Sequence, residues 1–145
     1  MYITRVLTCL VICLAASTVS ADDRSLALEM VNKAREAQGV APLTWNSDLA
    51  AYAQFWALQM GVGAQPFSHA PSQLRPQQGE NIYEHQSGQC DAAFDTPLQT
   101  AVPQCMWSDT TQIGCARAYS VSDSYKVYNV CRFLPQGNIL GEKPF

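Results

Sequence analysis

The chain has 145 residues, with nine Lys and Arg against twelve Asp and Glu and a formal net charge of −3. That mildly acidic balance, with no run of like charge, argues against nucleic acid or an anionic membrane as the main partner. The length suits one domain with a modest core and leaves no room for a second.

Residues 1–21, MYITRVLTCLVICLAASTVSA, have one early arginine, an apolar run from Val6 to Ala16 and a small-residue end at Val19-Ser20-Ala21. The run is too short for a bilayer span, so it reads as a secretory signal peptide cut before Asp22, leaving a domain over 22–145. Loss of Arg5 with the leader leaves eight basic residues in the exported product.

From Ser25, SLALEMVNKAREAQG places Leu26, Met30, Val31 and Ala34 at helical spacing. Ser25 is the expected N-cap and Gly39 the expected left-handed C′ residue. Pro42 then interrupts, because it cannot continue a helix and drives Ala41 to an extended conformation. In NSDLAAYAQFWALQM the pattern restarts with Asn46 or Ser47 as cap, and Leu49, Tyr52, Ala53, Trp56, Ala57 and Met60 form one stripe, read as core.

Residues 61–79 hold three prolines and three glycines, and read as a long loop of the kind that carries function in small domains. The loop leads into HAPSQLRPQQGENIYEH, residues 69–85, which begins and ends on the only two histidines and contains Glu80 and Glu84. His69 and Glu80 can converge across a flexible loop, and imidazole with carboxylate suits zinc; two ligands alone do not complete a site. Beyond it, residues 86–105 are weakly patterned, with a helix start expected at Asp95 or Thr96 before Pro97. TQIGCARAYS and SYKVYNVCRFL are rich in β-branched and aromatic residues and read as a hairpin joined by a polar loop. Helices first and strands later indicate an α+β domain.

The leader removes Cys9 and Cys13, so Cys90, Cys105, Cys115 and Cys131 remain. Four cysteines in an exported chain make two disulfides in one of three pairings; zinc ligation is disfavoured because no C-x-x-C pair is present. There is no G-x-S-x-G, no H-E-x-x-H and no Gly-rich phosphate loop, so no catalytic engine is visible and the chain is read as a non-enzyme.

VNKAREAQGVAPLTWNSDLAAYAQFWA, SHA, GENIY, QCMWSDTTQIGCARA and YNVCRFLPQGN, in that order, resemble the superfamily of cysteine-rich secretory proteins, antigen 5 and pathogenesis-related 1 proteins (CAP). The resemblance covers nearly all of residues 25–145. It implies a secreted α-β-α sandwich whose cleft carries two histidines and two glutamates able to hold a divalent metal. It also implies binding of sterols, other lipids or a cell-surface partner in a defence or virulence setting. The first histidine falls on His69 and the first glutamate on Glu80. Ala101, Val102 and Pro103 stand where the family has His, Tyr and Thr, and QCMW, Gln104 to Trp107, matches the end of a strand motif.

Half the tetrad is therefore missing, and the resemblance implies a sandwich short of one helix and one strand, as if a block after Val102 had been deleted. His69 and Glu80 are what is left of a metal set; no resident cofactor is expected, and His85 is an unmatched bystander. The family further implies the pairing Cys115–Cys131, with Cys90–Cys105 following from it, and a monomer. The tail PQGNILGEKPF, 135–145, resembles a segment that plant members release as a signalling peptide. Wrapping of the fold is its plainer role. A precursor of that peptide and a metal-dependent hydrolase are the competing functions.

Overall fold

The computed structural model describes residues 21–86 and 102–143. Residues 1–20 of the expected leader, Cys90 and the expected helix start at Asp95 or Thr96 lie outside them. The elements run α1 (Ala21–Ala37), β1 (Thr44–Trp45), α2 (Ser47–Gly61), a 3-10 turn (Ser72–Leu74), β2 (Gly79–Gln86), a single helical turn α3 (Val102–Cys105), β3 (Gln112–Tyr119) and β4 (Lys126–Leu134). The strands form one mixed sheet in the order β1-β3-β4-β2, with β1 parallel to β3 and the other pairs antiparallel.

The end of α1 follows from its sequence. Gly39 takes φ 70°, its N–H donates to Glu36 O, and the N–H of Val40 donates to Arg35 O, the two bonds of a Schellman cap. Its start is not where the sequence placed it. Ser25 lies one turn inside the helix and its hydroxyl donates back to Ala21 O, so it caps nothing. For α2 the cap is Asn46, whose Oδ1 accepts from the N–H groups of Asp48 and Leu49. The expected stripe is buried at Leu49, Ala53, Trp56, Ala57 and Met60, whereas Tyr52 turns outward and stays half exposed.

Strand alternation sorts the rest into layers. One face of the sheet presents Ala116, Ala118, Tyr128, Val130 and Ile82 to α2. The other presents Ile113, Cys115, Cys131 and Phe133 to Ala27 and Val31 of α1, Leu43 and Cys105. The result is the expected α-β-α sandwich within the α+β class. Gly114 lets α2 approach: a Cβ there would clash with the backbone of Asn46, Leu49 and Ala50. Each large side chain buried this way contributes on the order of 1.5–3 kcal/mol.

Two further expectations about this region meet the structure differently. The predicted hairpin is present as β3 and β4, bridged by Cys115–Cys131 with Cα atoms 4.1 Å apart. QCMW, however, is no strand end. Gln104 and Cys105 finish the turn α3, and Trp107 N–H donates back to Gln104 O.

The physical reason is Arg35, fully buried, which donates from Nε to Ala41 O, from Nη1 to Cys105 O and Trp107 O, and from Nη2 to Thr110 O. A strand would hold Cys105 O and Trp107 O about 7 Å apart, too far for one Nη1 to reach both, and would turn Thr110 O to the other side; a coil around one guanidinium gathers them. Burial lowers the Arg35 pKa, yet every partner is an acceptor, so only the protonated form satisfies them.

Candidate functional site

The loop after α2 is held down at three points. Trp56 Nε1 donates to Ser68 O at 2.8 Å, Arg75 Nε donates to Ala70 O at 2.7 Å, and Arg132 Nη1 donates to Leu74 O at 3.3 Å. These bonds lay the loop over the first residues of β2. GENIYEH, not read as regular structure from sequence, is that edge strand, with Glu80 directly opposite Arg132 of β4.

His69 and Glu80 are brought together as expected. Glu80 Oε1 lies 2.8 Å from His69 Nδ1 and accepts from the N–H of Ala70 at 2.9 Å. Glu80 Oε2 lies 2.9 Å from Arg132 Nε. That N–H is not aligned as a hydrogen bond, so the contact is one of charge, and neither atom has another partner. The Glu80 side chain is wholly buried and that of Arg132 is 1% exposed, while the His69 side chain is 57% exposed. Desolvation outweighs the Glu80 charge at Arg132 and lowers its pKa.

The arrangement assigns a role to each nitrogen of His69. Nδ1 is turned to a buried carboxylate, which favours the proton there and leaves Nε2, on the exposed ring, as the nitrogen for a ligand. Two residues before it in the chain, Phe67, 47% exposed, stacks on Tyr128 with ring centroids 6.4 Å apart. Tyr128 faces Glu84 across the ladder, and Glu84 binds Lys126 at 3.3 Å. Burial first, and then the Glu84 charge, raise the Tyr128 pKa; the hydrogen bond to Glu84 raises that of Lys126.

His85 takes no part. It lies an odd number of residues from Glu80 along β2, so it projects from the opposite face, about 17 Å along the strand at 3.4 Å per residue. There it sits beside Tyr83, with ring centroids 5.2 Å apart, and near Asn129.

A divalent metal does not fit the described residues. Among the described residues no three of His, Cys, Asp and Glu come together to hold one. Glu80 has its oxygens turned to Ala70 N–H, His69 and a guanidinium, and a cation beside Oε2 opposes a second positive charge.

The expected bridge Cys90–Cys105 has one half, Cys90, outside the described residues; Cys105 is a buried thiol, free among the described residues and packed against Ala27, Val31, Leu43 and Phe133. Burial pushes its pKa up to about 12, the Arg35 charge opposing this only in part. A neutral thiol in that environment behaves as a small hydrophobe.

Gln104 and Gly137, which the sequence reading knew only as motif positions, join the tail to this neighbourhood. In the amide orientation that satisfies all its neighbours, Gln104 binds both the N–H and the C=O of Gly137 and accepts from Thr110 Oγ1. Gly137 lies flat on Trp107, where a Cβ would clash with the indole. Thr110 Oγ1 also reaches Pro135 O, and Gln136 N–H donates to Gln77 O. The tail is therefore docked over 135–137, whereas Leu140 is fully exposed.

The chain matches the model of the cysteine-rich secretory protein family, CAP, over residues 28–133. It is 30% identical over 141 residues to pathogenesis-related protein 1A of Nicotiana tabacum, covering 81% of this chain and 78% of that protein. To pathogenesis-related protein PRMS of Zea mays it is 31% identical over 140 residues, covering 79% and 77%. The structure of BmVAL-1 shares its fold at TM-score 0.76 and 20% identity, over 89% of this chain and 84% of that one. That of NaASP2 with Zn2+ does so at TM-score 0.71 and 18% identity, over 88% and 86%.

Proposed function

Because the chain belongs to the cysteine-rich secretory protein family, we propose that it is a secreted, non-catalytic binding protein whose ligand is a sterol or similar lipid with a single hydroxyl. One observation carries the reading: a half-exposed aromatic ring, Phe67, stands two residues from His69, whose Nδ1 is committed to Glu80. An apolar ledge with one polar handle matches a ligand that is apolar over most of its body and polar at one end. Covering the open half of Phe67, roughly 100 Å², contributes about 2–3 kcal/mol at 25 cal/mol per Å², and His69 Nε2 accepts the hydroxyl.

Secretion rests on the leader pattern of residues 1–21 and on kinship with proteins such as secreted protein RBT4 of Candida albicans. No helix among the described residues is long and apolar enough to cross a membrane. A metal-dependent hydrolase has less support, since its open metal position requires a ligand set that His69 and Glu80 do not supply.

The test is retention of a fluorescent sterol by the purified domain, with the 3-O-acetyl ester as control. Retention is expected, weakened about tenfold by Phe67→Asp or by blocking the hydroxyl, which is the loss of roughly one good contact. Retention no greater than by the denatured protein overturns the proposal. A cell-surface protein partner is the alternative then left.

A further inference from the structure

From Leu49 to Ser68 the chain carries no charged side chain and no histidine, although only one side of α2 is packed on the sheet. The outer side is left with Tyr52, Phe55 and Val62, which are 52%, 51% and 40% exposed. At about 100° per residue these three fall within an arc of about 80°. A helix on a protein surface normally turns charged residues outward, and one that is apolar all round is normally covered on every side.

The stripe leans towards the ledge at Phe67. Tyr52 lies one turn before Trp56 on the helix surface, and Trp56 Nε1 holds Ser68, so Phe67 comes alongside. At the other end Val121 N–H donates to Gly61 O, which brings the tip of the β3–β4 hairpin against Val62, with Val121 69% exposed. Three half-open aromatic rings at roughly 100 Å² each, with the two valines, make an apolar face of roughly 400 Å². Its rim is charged, with Asp48 at the start of α2 and the Glu84–Lys126 pair beside Tyr128. An apolar face of this size within a polar rim marks an interaction surface.

We infer that this face docks the protein on a zwitterionic lipid surface. Its area is about half of the roughly 800 Å² that each partner of a stable complex buries, which disfavours a second copy of the chain. With no charge on it, the face offers nothing for an acidic or basic partner to read and no attraction to anionic headgroups. Half-open Tyr and Phe rings suit the boundary between headgroups and acyl chains, where the ring is covered and the Tyr52 hydroxyl stays wet. The choice of a lipid surface rests on the sterol reading above. Phe67 belongs to both the docking face and the ledge, so a docked protein presents the ledge at the bilayer and takes up an apolar ligand without drawing it through water.

The test is sedimentation of the purified 22–145 domain with sterol-free phosphatidylcholine vesicles, run beside the sterol-retention assay in solution. Binding is expected to persist in high salt and to gain nothing from added phosphatidylserine. Phe55→Asp and Val62→Asp, each at an exposed position away from the ledge, are expected to weaken vesicle binding at least about tenfold, with the thermal midpoint and sterol retention unchanged. Phe67→Asp is expected to weaken both. Vesicle binding without sterol retention would sink the sterol reading and leave the docking face standing. Four results overturn the inference: sterol retention without vesicle binding, vesicle binding indifferent to Phe55→Asp and Val62→Asp, binding that requires phosphatidylserine, or a dimer at sedimentation equilibrium that Phe55→Asp dissolves.

Discussion

Glu80 and Arg132 stand directly opposite each other across β2 and β4 and bring their charges to 2.9 Å with neither side chain open to water. Glu80 in turn holds His69, so the exposed half of the site is oriented by a buried half. The pair is the link between the sheet and the loop above it.

Removing one partner leaves an uncompensated buried charge, which costs about 3–5 kcal/mol. Arg132→Met is expected to lower stability by that amount in urea unfolding, and the double variant with Glu80→Gln to recover part of it. A loss below about 1 kcal/mol, the size of a surface pair, would show that the pair is not buried in solution.

Arg35 is a second buried cation, and among the described residues its partners are all carbonyls. Arg35→Met strips a donor from Ala41, Cys105, Trp107 and Thr110 carbonyls together. Each orphaned buried group costs about 1–3 kcal/mol, so this substitution should rank among the most damaging in the chain. Arg35→Lys, which keeps the charge but not the fork, should fall between it and the wild type. Equal denaturation midpoints for all three proteins would refute the role.

Cys105 gives a prediction about pH. Its pKa is raised from 9.0 to about 12, so between those values the unfolded chain loses a proton that the folded chain keeps. Stability due to this group is intact below pH 9 and falls by roughly 1 kcal/mol per pH unit as pH rises through the window. Cys105→Ala should show a shallower alkaline loss than its parent. In the Cys90→Ser background, iodoacetamide at pH 8 should label Cys105 far more slowly in the folded protein than in urea; equal rates would count against burial.

The tail divides at Gly137. Limited digestion with thermolysin should cut before Ile139 and Leu140 and leave the segment up to Gly137 attached, because Leu134 O accepts from Thr111 N–H and Pro135 O from Thr110. Gly137→Ala should push the tail off Trp107 and lower the thermal midpoint. A wild-type protein that resists cutting before Ile139 and Leu140, or a Gly137→Ala midpoint equal to the parent's, would count against this division of the tail.

Much of the fold was legible. The stripe of α2 with its Asn46 cap, the Gly39 stop of α1, and the β3–β4 hairpin are signalled by residues within a turn or a strand of one another. Pairing of Cys115 with Cys131 came from family resemblance, and the structure bears it out. GENIYEH was harder, because its mixed polar alternation belongs to an edge strand, one side of which meets a loop rather than a helix. Once it is known to be a strand, parity alone separates His85 from Glu80. Ser25 misled because a serine inside a helix has the same composition signal as a cap.

What the sequence determined by itself is therefore the local set: where chain direction changes, which helix face is apolar, and which family pattern the residues follow. Tertiary structure alone decided the fate of the charges. Nothing along the sequence marks Arg35 and Arg132 as buried, since their burial depends on carbonyls and a carboxylate brought from distant parts of the chain, 70 residues from Arg35 to Cys105 and 54 from Arg132 to Gln78. Desolvation and its compensation are properties of the assembled neighbours, and no window along the chain contains them.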